Sequence, residues 1–286
     1  MNFSDLSTFL AVAETASFSR AAHQLSITQP AVSKRIAALE DQLGQRLFDR
    51  VGRKVHLTQA GTLLAPAARQ LLALVADTEN QLSHLSTQVS GTLYLATSHH
   101  IGLHRLAPVL REFTRHYPQV QMNISFEDSE VAHDLVRQGQ VELAVATLNP
   151  AGDAGLICEP LWDDPLVFVS AKSNLRQSSM QNLAEQSCIL PGPTTYTGRI
   201  VTAHFSHQGI ALKPSMSTNY LETISMLVSV GLGWSVLPLS MVDRNLVIDV
   251  DCPKMARQLG YVSNPSRTLS PAAQAFMQVL NQFGDT

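Results

Sequence analysis

The chain has 286 residues, of which 45% are hydrophobic and 15% charged, so it is long enough for two or three domains and too apolar for extended disorder. Its three cysteines are odd in number and far apart, which argues against a disulfide framework and a zinc site. The first residues lack the basic segment of a signal peptide, and no apolar run reaches the length of a membrane span. We therefore expect a soluble cytoplasmic protein without a membrane partner.

The net charge of −3 is unevenly distributed along the chain. Residues 1–58 carry a net charge of +2, with their basic side chains concentrated between positions 34 and 54, whereas the remainder carries −5. A basic segment on an otherwise acidic protein predicts local contact with a polyanion. A solvated basic surface without a partner would give the same distribution, so charge alone does not decide.

The beginning of the chain shows the pattern of three helices followed by a β-hairpin. Apolar residues at helical spacing begin the first helix, Ser17 can cap a second, and Thr28 can cap a third, with Pro30 in its first turn. Gly44 ends the third helix, and residues 47–57 can form two short strands around a basic loop. This order predicts a winged helix-turn-helix, whose third helix enters the major groove of DNA.

The third helix leaves polar and basic side chains free near its N-terminus, away from its apolar stripe. Side chains in this position reach base edges in a major groove, while their neighbours and the hairpin tip contact the DNA backbone. An ordinary solvated helix surface is the alternative. We predict base contacts by Gln29, Ser33 and Lys34, and backbone contacts by Thr28 and Arg35, with Pro30 in the same first turn as part of the DNA-binding surface. Arg53 and Lys54 can contact the backbone or enter the minor groove.

A long helix is predicted from Thr58 to about Val89, with Pro66 as its main helix-breaking residue. Its apolar positions approximate a heptad seam, which requires a partner helix because an exposed apolar stripe is unfavourable. We expect a two-chain coiled coil that makes a homodimer, with packing against the same chain as the alternative. The predicted seam comprises Leu64, Ala67, Leu71, Leu74, Thr78, Gln81 or Leu82, and Leu85.

Beyond Gly91 the sequence alternates between strand and helix patterns. This alternation is typical of an α/β domain with a mainly parallel sheet. The last predicted helix can cross back onto the first part of that domain. The predicted strands are 92–97, 120–126, 141–147, 166–170, 188–190, 234–237, 246–250 and 259–262, and the predicted helices are 103–116, 129–138, 198–207, 220–230 and 270–283.

The sequence resembles the LysR-type transcriptional regulators. The matching elements at the beginning of the chain are SFSRAAHQL, TQPAVSKRIAALEDQLG, RLFDR and LTQAG, all at the family's spacing. Further on, VSVGLGWSVLP at residues 228–238 resembles the family's Gly-x-Gly…Leu-Pro segment. The resemblance covers essentially the whole chain, and it is strong in the first 65 residues and diffuse afterwards.

The resemblance implies a multi-domain α/β protein that binds double-stranded DNA sequence-specifically and responds to a small-molecule effector. It also implies a homotetramer built as a dimer of dimers, with RNA polymerase as a candidate further partner. The implied domains are a winged helix-turn-helix at 1–58, a dimerising linker helix at 59–89 and a two-lobed effector domain, like a periplasmic binding protein, at 90–286. Within the last, lobe I spans about 90–161 and 265–286, and lobe II spans about 162–264.

In this family the effector lies between the two lobes. Ser98 and Thr197 fall just before predicted helices, where free N–H groups favour an anion, and open α/β sheets bind ligands at the carboxyl ends of strands. Plain helix capping by these two residues is the alternative. A histidine pair in the first loop adds the hypothesis of a pH-sensitive or strongly anionic ligand. The predicted effector-binding residues are Ser98, His99, His100, Thr147, Thr195, Thr197 and Asn219.

Other chemistries have weaker support in the sequence. His100 and His104 are four residues apart, but no carboxylate or cysteine is near them in sequence, so we predict no metal site. Cys188 and Cys252 are too far apart to predict a redox pair. Because no nucleophile elbow, P-loop, GxGxxG or HExxH motif is present, we predict no catalytic residues and no cofactor. The alternative function is an enzyme or solute-binding protein with a fused DNA-binding domain.

Overall fold

The structure is a computed structural model that describes residues 2–51, 54–83, 89–171, 179–249, 252 and 254–284. It divides into two compact units. The first comprises residues 1–85 and 138–140, and the second comprises residues 86–137 and 141–286. In the described part of the chain, no helix has both the length and the apolar character required to cross a membrane.

The first unit has the predicted order of three helices, a hairpin and a long helix. Side chains of Asn2, Ser17 and Thr28 cap the first three helices, and Gly44 ends the third with a φ of 63°. The hairpin strands pair antiparallel, with Phe48 opposite Leu57. The elements are α1 (Phe3–Thr15), α2 (Phe18–Gln24), α3 (Gln29–Leu43), β1 (Phe48–Val51), β2 (Lys54–Leu57) and α4 (Gln59–Ser83).

Aromatic and aliphatic side chains from every helix hold the first unit together. The ring centroid of Phe48 lies 5.3 Å from that of Phe9 and 5.9 Å from that of Phe18. Val32 and Leu39 of α3 are completely buried in the same cluster. Burial of each such side chain contributes roughly 1.5–3 kcal/mol, so α3 is fixed by its apolar face while its polar face stays free.

Helix α4 packs against the rest of the first unit through small residues. Ala65 and Ala68 are buried in the core, and Leu64 packs against it. Leu64 was predicted to lie on the coiled-coil seam. It packs against its own domain, so the alternative interpretation is confirmed at this position. Leu71 and Leu74, about two and three turns beyond Leu64, are 38% and 63% exposed. Leu85 lies outside the described residues, and the side chains of Gln81 and Leu82 are not described.

The second unit is built on one mixed sheet. Its elements are β3 (Gly91–Thr97), α5 (His99–Ile101), a π-helical turn (Gly102–Leu106), α6 (Ala107–His116), β4 (Val120–Phe126), α7 (Ser129–Arg137), β5 (Leu143–Thr147), β6 (Ile157–Ala171), α8 (Met180–Glu185), β7 (Ile189–Leu190), α9 (Tyr196–Ser206), β8 (Met216–Ser217), α10 (Leu221–Ser229), β9 (Ser235–Pro238), a 3₁₀ turn (Leu239–Met241), β10 (Leu246–Ile248), β11 (Met255–Ser263) and α11 (Pro271–Asn281).

The strand order is β10-β6-β11-β5-β3-β4, with β9 also paired to β6. Strand β3 pairs parallel with β4 and β5, but every pairing of β6 and β11 is antiparallel. The prediction of a mainly parallel sheet is therefore wrong. The segment predicted as a strand at 166–170 belongs to the 15-residue strand β6, which pairs with β11 in its first part and with β9 and β10 in its last part. Strands β6 and β11 connect the two halves of the unit in opposite directions, so they pair antiparallel.

Two lobes share β6 and β11. We define the first lobe as β3–β5 with α5–α7 and α11, and the second as β7–β10 with α8–α10. In the first lobe the ring of Phe276 from α11 packs edge-on against Phe113, with centroids 5.2 Å apart. The last helix therefore does return to the first lobe. In the second lobe Phe168 and Phe205 both pack against Trp234.

Candidate functional sites: an inter-lobe cleft and a DNA-reading helix

A cleft lies between the two lobes of the second unit. On the first lobe it is bordered by the carboxyl end of β5 and by the loop between β3 and α5; on the second lobe it is bordered by the N-termini of α9 and α10. The cavity between the lobes is partly open to solvent and measures about 50 Å³. That is room for only a few water molecules in this arrangement of the lobes. All seven predicted effector-binding residues line the cleft: Ser98, His99, His100, Thr147, Thr195, Thr197 and Asn219.

The second lobe presents the N-terminus of α9 to the cleft. Helix α9 begins two residues earlier than predicted, so Thr195 and not Thr197 is its capping residue. The hydroxyl oxygen of Thr195 accepts the N–H of Gly198 at 3.0 Å. Gly198 has no room for a side chain, because a Cβ there would lie 2.1 Å from the carbonyl oxygen of Gly192. The alternative interpretation, in which Thr197 only caps a helix, is therefore wrong, and the Thr197 hydroxyl is engaged elsewhere.

That engagement is with Arg257, a buried cation that sequence reasoning missed. Arg257 Nη1 donates to Thr197 Oγ1 at 2.7 Å, and Arg257 Nε donates to Asp164 Oδ2 at 2.8 Å. Burial lowers the pKa of Arg257, and the Asp164 carboxylate opposes that shift. Within the described part of the chain, Nη2 of Arg257 is buried without a hydrogen-bond partner. The cleft thus contains a guanidinium with one unused donor group.

Two acidic side chains of the first lobe bridge to the second lobe. The Glu130 carboxylate accepts the backbone N–H of Tyr196 at the start of α9. Asn219 Nδ2 donates to Asp128 Oδ2 at 2.5 Å, while Asn219 Oδ1 accepts the N–H of Gly192. Burial raises the pKa of Glu130 above its usual value. A carboxylate of the protein itself therefore occupies the helix terminus where an anion was predicted.

The first lobe contributes hydroxyl groups and the histidine pair. Ser98 precedes α5, but its side chain forms no capping hydrogen bond with that helix. His99 packs between Phe126 and Tyr220, with ring centroids 5.4 and 5.0 Å away. Burial, aided by the nearby charge of Arg257, lowers the pKa of His100 to about 3. His100 is therefore neutral near pH 7, which removes it as the cation of a pH-sensitive anion site.

The first unit presents most of the predicted DNA-contacting residues at its surface. Thr28, Gln29, Pro30 and Lys34 are exposed, and Ser33 is half-buried and accepts a hydrogen bond from Gln29 Nε2 at 3.0 Å. Arg35 is half-buried too, and its Nη1 donates to Thr8 Oγ1 on α1. Part of the guanidinium of Arg35 therefore ties α3 to α1. Arg53 lies outside the described residues, and Lys54 begins β2 but its side chain is not described.

The three cysteines form no disulfide with one another. Burial raises the pKa of the thiols of Cys158 and Cys188, which lowers their thiolate fraction. Redox-sensing cysteines have depressed pKa values and are accessible. The raised pKa values of Cys158 and Cys188 are the opposite of that, and Cys188 is also buried, whereas Cys158 is half-buried.

Two family models match the sequence. "Bacterial regulatory helix-turn-helix protein, lysR family" matches residues 3–62, and "LysR substrate binding domain" matches residues 86–284, which is more than half of the chain. The chain belongs to the LysR family of transcriptional regulators. The predicted family, the two-part α/β architecture and the regulatory function are thereby confirmed.

Individual relatives agree with this assignment. An uncharacterized HTH-type transcriptional regulator of Azotobacter vinelandii is 60% identical over 108 residues, 38% of this chain and 75% of that protein. A probable RuBisCO transcriptional regulator of Nostoc sp. is 30% identical over 96% of this chain and 86% of its own length. The crystal structure of full-length CbnR complexed with its target DNA has the same fold, with a TM-score of 0.68, 19% identity and coverage of 99% and 100%.

The LysR assignment also decides between the two functions left open by the sequence. The relatives are named as transcriptional regulators, so this LysR protein is a regulator and not an enzyme. Its N-terminal domain is the DNA-binding part, and its C-terminal domain is of the kind that binds a small molecule.

Proposed function

We propose that this LysR regulator reads DNA with the N-terminal half of α3. The observation that supports this proposal is the exposure of Gln29 and Lys34 next to Ser33, on a helix whose other face is locked into the core. Thr28 and Pro30 at the start of the helix contact the DNA backbone in this arrangement, and the basic side chains of Arg53 and Lys54 add phosphate contacts. Arg35 ties α3 to α1 through Thr8 and, in the proposed complex, also contacts a phosphate.

Replacing Ser33 or Lys34 by alanine is expected to weaken binding to the specific operator by ~1–3 kcal/mol, because each removes a contact near the base edges. The measurement is operator affinity by fluorescence anisotropy at fixed salt. Lys254→Ala is a matched control, since it removes an exposed lysine of the other unit. Unchanged operator affinity in both α3 variants would refute the assignment of the reading helix.

We further propose that the effector is a small molecule with a carboxylate or similar anionic group, bound in the inter-lobe cleft. The single observation behind this proposal is the unused Nη2 donor of buried Arg257, which lies in the cleft beside the N-terminus of α9. A guanidinium and a helix N-terminus both favour an anion. The hydroxyls of Ser98, Thr147 and Thr195, together with Asn219, surround the same space.

In this proposal the effector displaces Glu130 from α9. The bond from Tyr196 N–H to Glu130 and the bond from Asn219 to Asp128 both join the lobes in the present arrangement. An effector anion that takes the α9 terminus breaks the first bond and changes how the lobes meet. The effector shifts the equilibrium only by its difference in affinity for the two arrangements. Lobe rearrangement then changes the spacing of the DNA-binding domains.

Replacing Glu130 by glutamine is expected to tighten effector binding at least about fivefold, because it removes a like charge a few ångströms from the incoming anion. The effector is first identified by a thermal-shift screen of small mono- and dicarboxylic acids, and its affinity is then measured by calorimetry. Asp134→Asn, on the exposed face of the same helix, is the control. Equal or weaker affinity in Glu130→Gln than in the control would contradict the displacement step.

We propose that the protein acts in the cytoplasm as a homodimer through α4, and as a tetramer through further contacts. The exposed Leu71 and Leu74 support the dimer, since two leucines on one helix face are unfavourable in water. Ala67 is exposed on the same helix. The tetramer and contact with RNA polymerase follow from family membership alone.

A further inference from the structure

Three metal-ligating side chains meet at the edge of the cleft. His100 lies in α5, His104 lies in the π-helical turn that follows, and Glu222 lies in the first turn of α10. Glu222 Oε1 is 3.2 Å from His104 Nε2 and 3.7 Å from His100 Nδ1. The two imidazole centroids are 4.8 Å apart. The ligand atoms of the three residues all lie within 4.8 Å of one another.

His100 is not satisfied by the protein around it. Its side chain is 5% exposed, and neither ring nitrogen has a hydrogen-bond partner in the part of the chain that the structure describes. Leaving a buried polar group unpaired costs ~1–3 kcal/mol. The nearest carboxylate oxygen, that of Glu222, is 3.7 Å away, beyond hydrogen-bond distance. A group that accepts a nitrogen lone pair at this point would remove the cost.

We propose that His100, His104 and Glu222 bind a divalent transition-metal ion of the zinc type. Zinc bonds to histidine nitrogen and carboxylate oxygen at 2.0–2.2 Å in a tetrahedron, which places neighbouring ligand atoms about 3.3 Å apart. The two nitrogen–oxygen distances of 3.2 and 3.7 Å match that spacing. Three protein ligands leave a fourth position open, as in zinc sites that exchange a water molecule.

The charges around the cluster are compatible with a cation. Arg257 lines the same cleft, and its charge is paired with Asp164 at 2.8 Å. His104 and Glu222 are 39% and 36% exposed, so an ion has access from solvent.

A second cluster, His133, Asp153 and Cys158, lacks this feature. His133 Nδ1 already contacts Asp153 at 2.5 Å, and its Nε2 contacts the carbonyl oxygen of Thr147 at 3.1 Å. Both ring nitrogens of His133 are engaged, whereas in the first cluster His104 Nε2 contacts Glu222 at 3.2 Å but neither nitrogen of His100 has a hydrogen-bond partner among the described residues. The unsatisfied nitrogens of His100 distinguish the first cluster.

The ligands come from both lobes. His100 and His104 belong to the first lobe and Glu222 to the second, so a bound ion links the lobes at the side of the cleft. Metal binding is therefore expected to stabilise this arrangement of the lobes, independently of any anionic effector. Sequence reasoning missed the third ligand because Glu222 is 118 residues from His104.

The test uses the untagged full-length chain and zinc chloride in titration calorimetry, with Co²⁺ absorbance to report a tetrahedral site. Wild-type protein is expected to bind one Zn²⁺ per chain. His104→Ala and Glu222→Gln are each expected to weaken binding at least about tenfold, since even outer-shell partners of zinc ligands cost 10–100-fold. Both residues are partly exposed, so these variants retain the fold.

The matched control is His116→Ala. His116 pairs with Glu112 at 3.2 Å on the surface of α6, but it belongs to no three-ligand cluster among the described residues. Unaltered binding in this variant, with loss in the other two, supports the proposed site. Absence of zinc binding by the wild type, unchanged affinity in both cluster variants, or an equal loss in His116→Ala would overturn it. A zinc-dependent rise in Tm that His104→Ala abolishes is the expected second readout.

Discussion

Replacement of Arg257 by alanine is expected to destabilise the effector domain by about 3–5 kcal/mol, because it leaves the Asp164 carboxylate buried without its partner. Both side chains are almost completely buried, and the Nε to Oδ2 distance is 2.8 Å. Thr197 loses the donor to its hydroxyl in the same variant. The measurement is the denaturant midpoint of the effector-domain transition, followed separately from that of the DNA-binding domain.

A double replacement distinguishes the effect of the unpaired charge on stability from the effect of lost side-chain packing. Removing both charges in Arg257→Met combined with Asp164→Leu is expected to recover most of the lost stability, since apolar residues of similar volume often replace a buried ion pair at little cost. The double variant should still fail to bind the carboxylate effector, because the guanidinium is gone. A single variant as stable as the wild type would show that the pair is not buried in solution.

Leu71→Asp combined with Leu74→Asp is expected to lower operator affinity by about 10²–10⁴-fold, because unpaired DNA-binding domains lose the gain of binding two half-sites together. Two carboxylates on the exposed face of α4 oppose helix pairing but leave the domain core intact, since the buried contacts of α4 are made by other residues, including Ala65 and Ala68. Sedimentation should show particles of at most half the wild-type mass.

Leu239→Asp is the control for this pair. It introduces the same charge at an exposed leucine of the second unit. Its sedimentation and operator affinity should remain close to those of the wild type. An undiminished particle mass in the α4 double variant would show that the dimer forms elsewhere.

Local signals in the sequence were sufficient for the first unit. The caps at Ser17 and Thr28 and the glycine at Gly44 fix the helix ends through contacts within a few residues, so α2 and α3 fall at the predicted places. The strand β6 was predicted only in part, because Pro160 and Pro165 and several charged residues interrupt its apolar pattern. Its pairing with β11 depends on residues about 90 positions away, which no local pattern reports.

In the candidate effector site, too, features set by local structure were predicted and contacts between distant residues were missed. Residues predicted at strand ends and helix starts do line the cleft, because their positions follow from local structure. The charged groups that decide its chemistry were missed: Arg257 pairs with Asp164 across 93 residues, and Glu130 reaches Tyr196 across 66. The sequence pattern begins α9 two residues too late, so it indicates Thr197 as the capping residue where the structure has Thr195.

Under the proposed displacement of Glu130 from the start of α9, this carboxylate sets the effector concentration at which the regulator responds. An effector competes at this position with Glu130, which belongs to the same molecule and is therefore present at a constant local concentration. Its apparent dissociation constant equals the intrinsic one divided by the fraction of molecules in which Glu130 does not occupy the site. Substitutions on α7 that weaken or strengthen the contact of Glu130 with α9 change the inducing concentration. They do so without altering any residue that recognises the ligand.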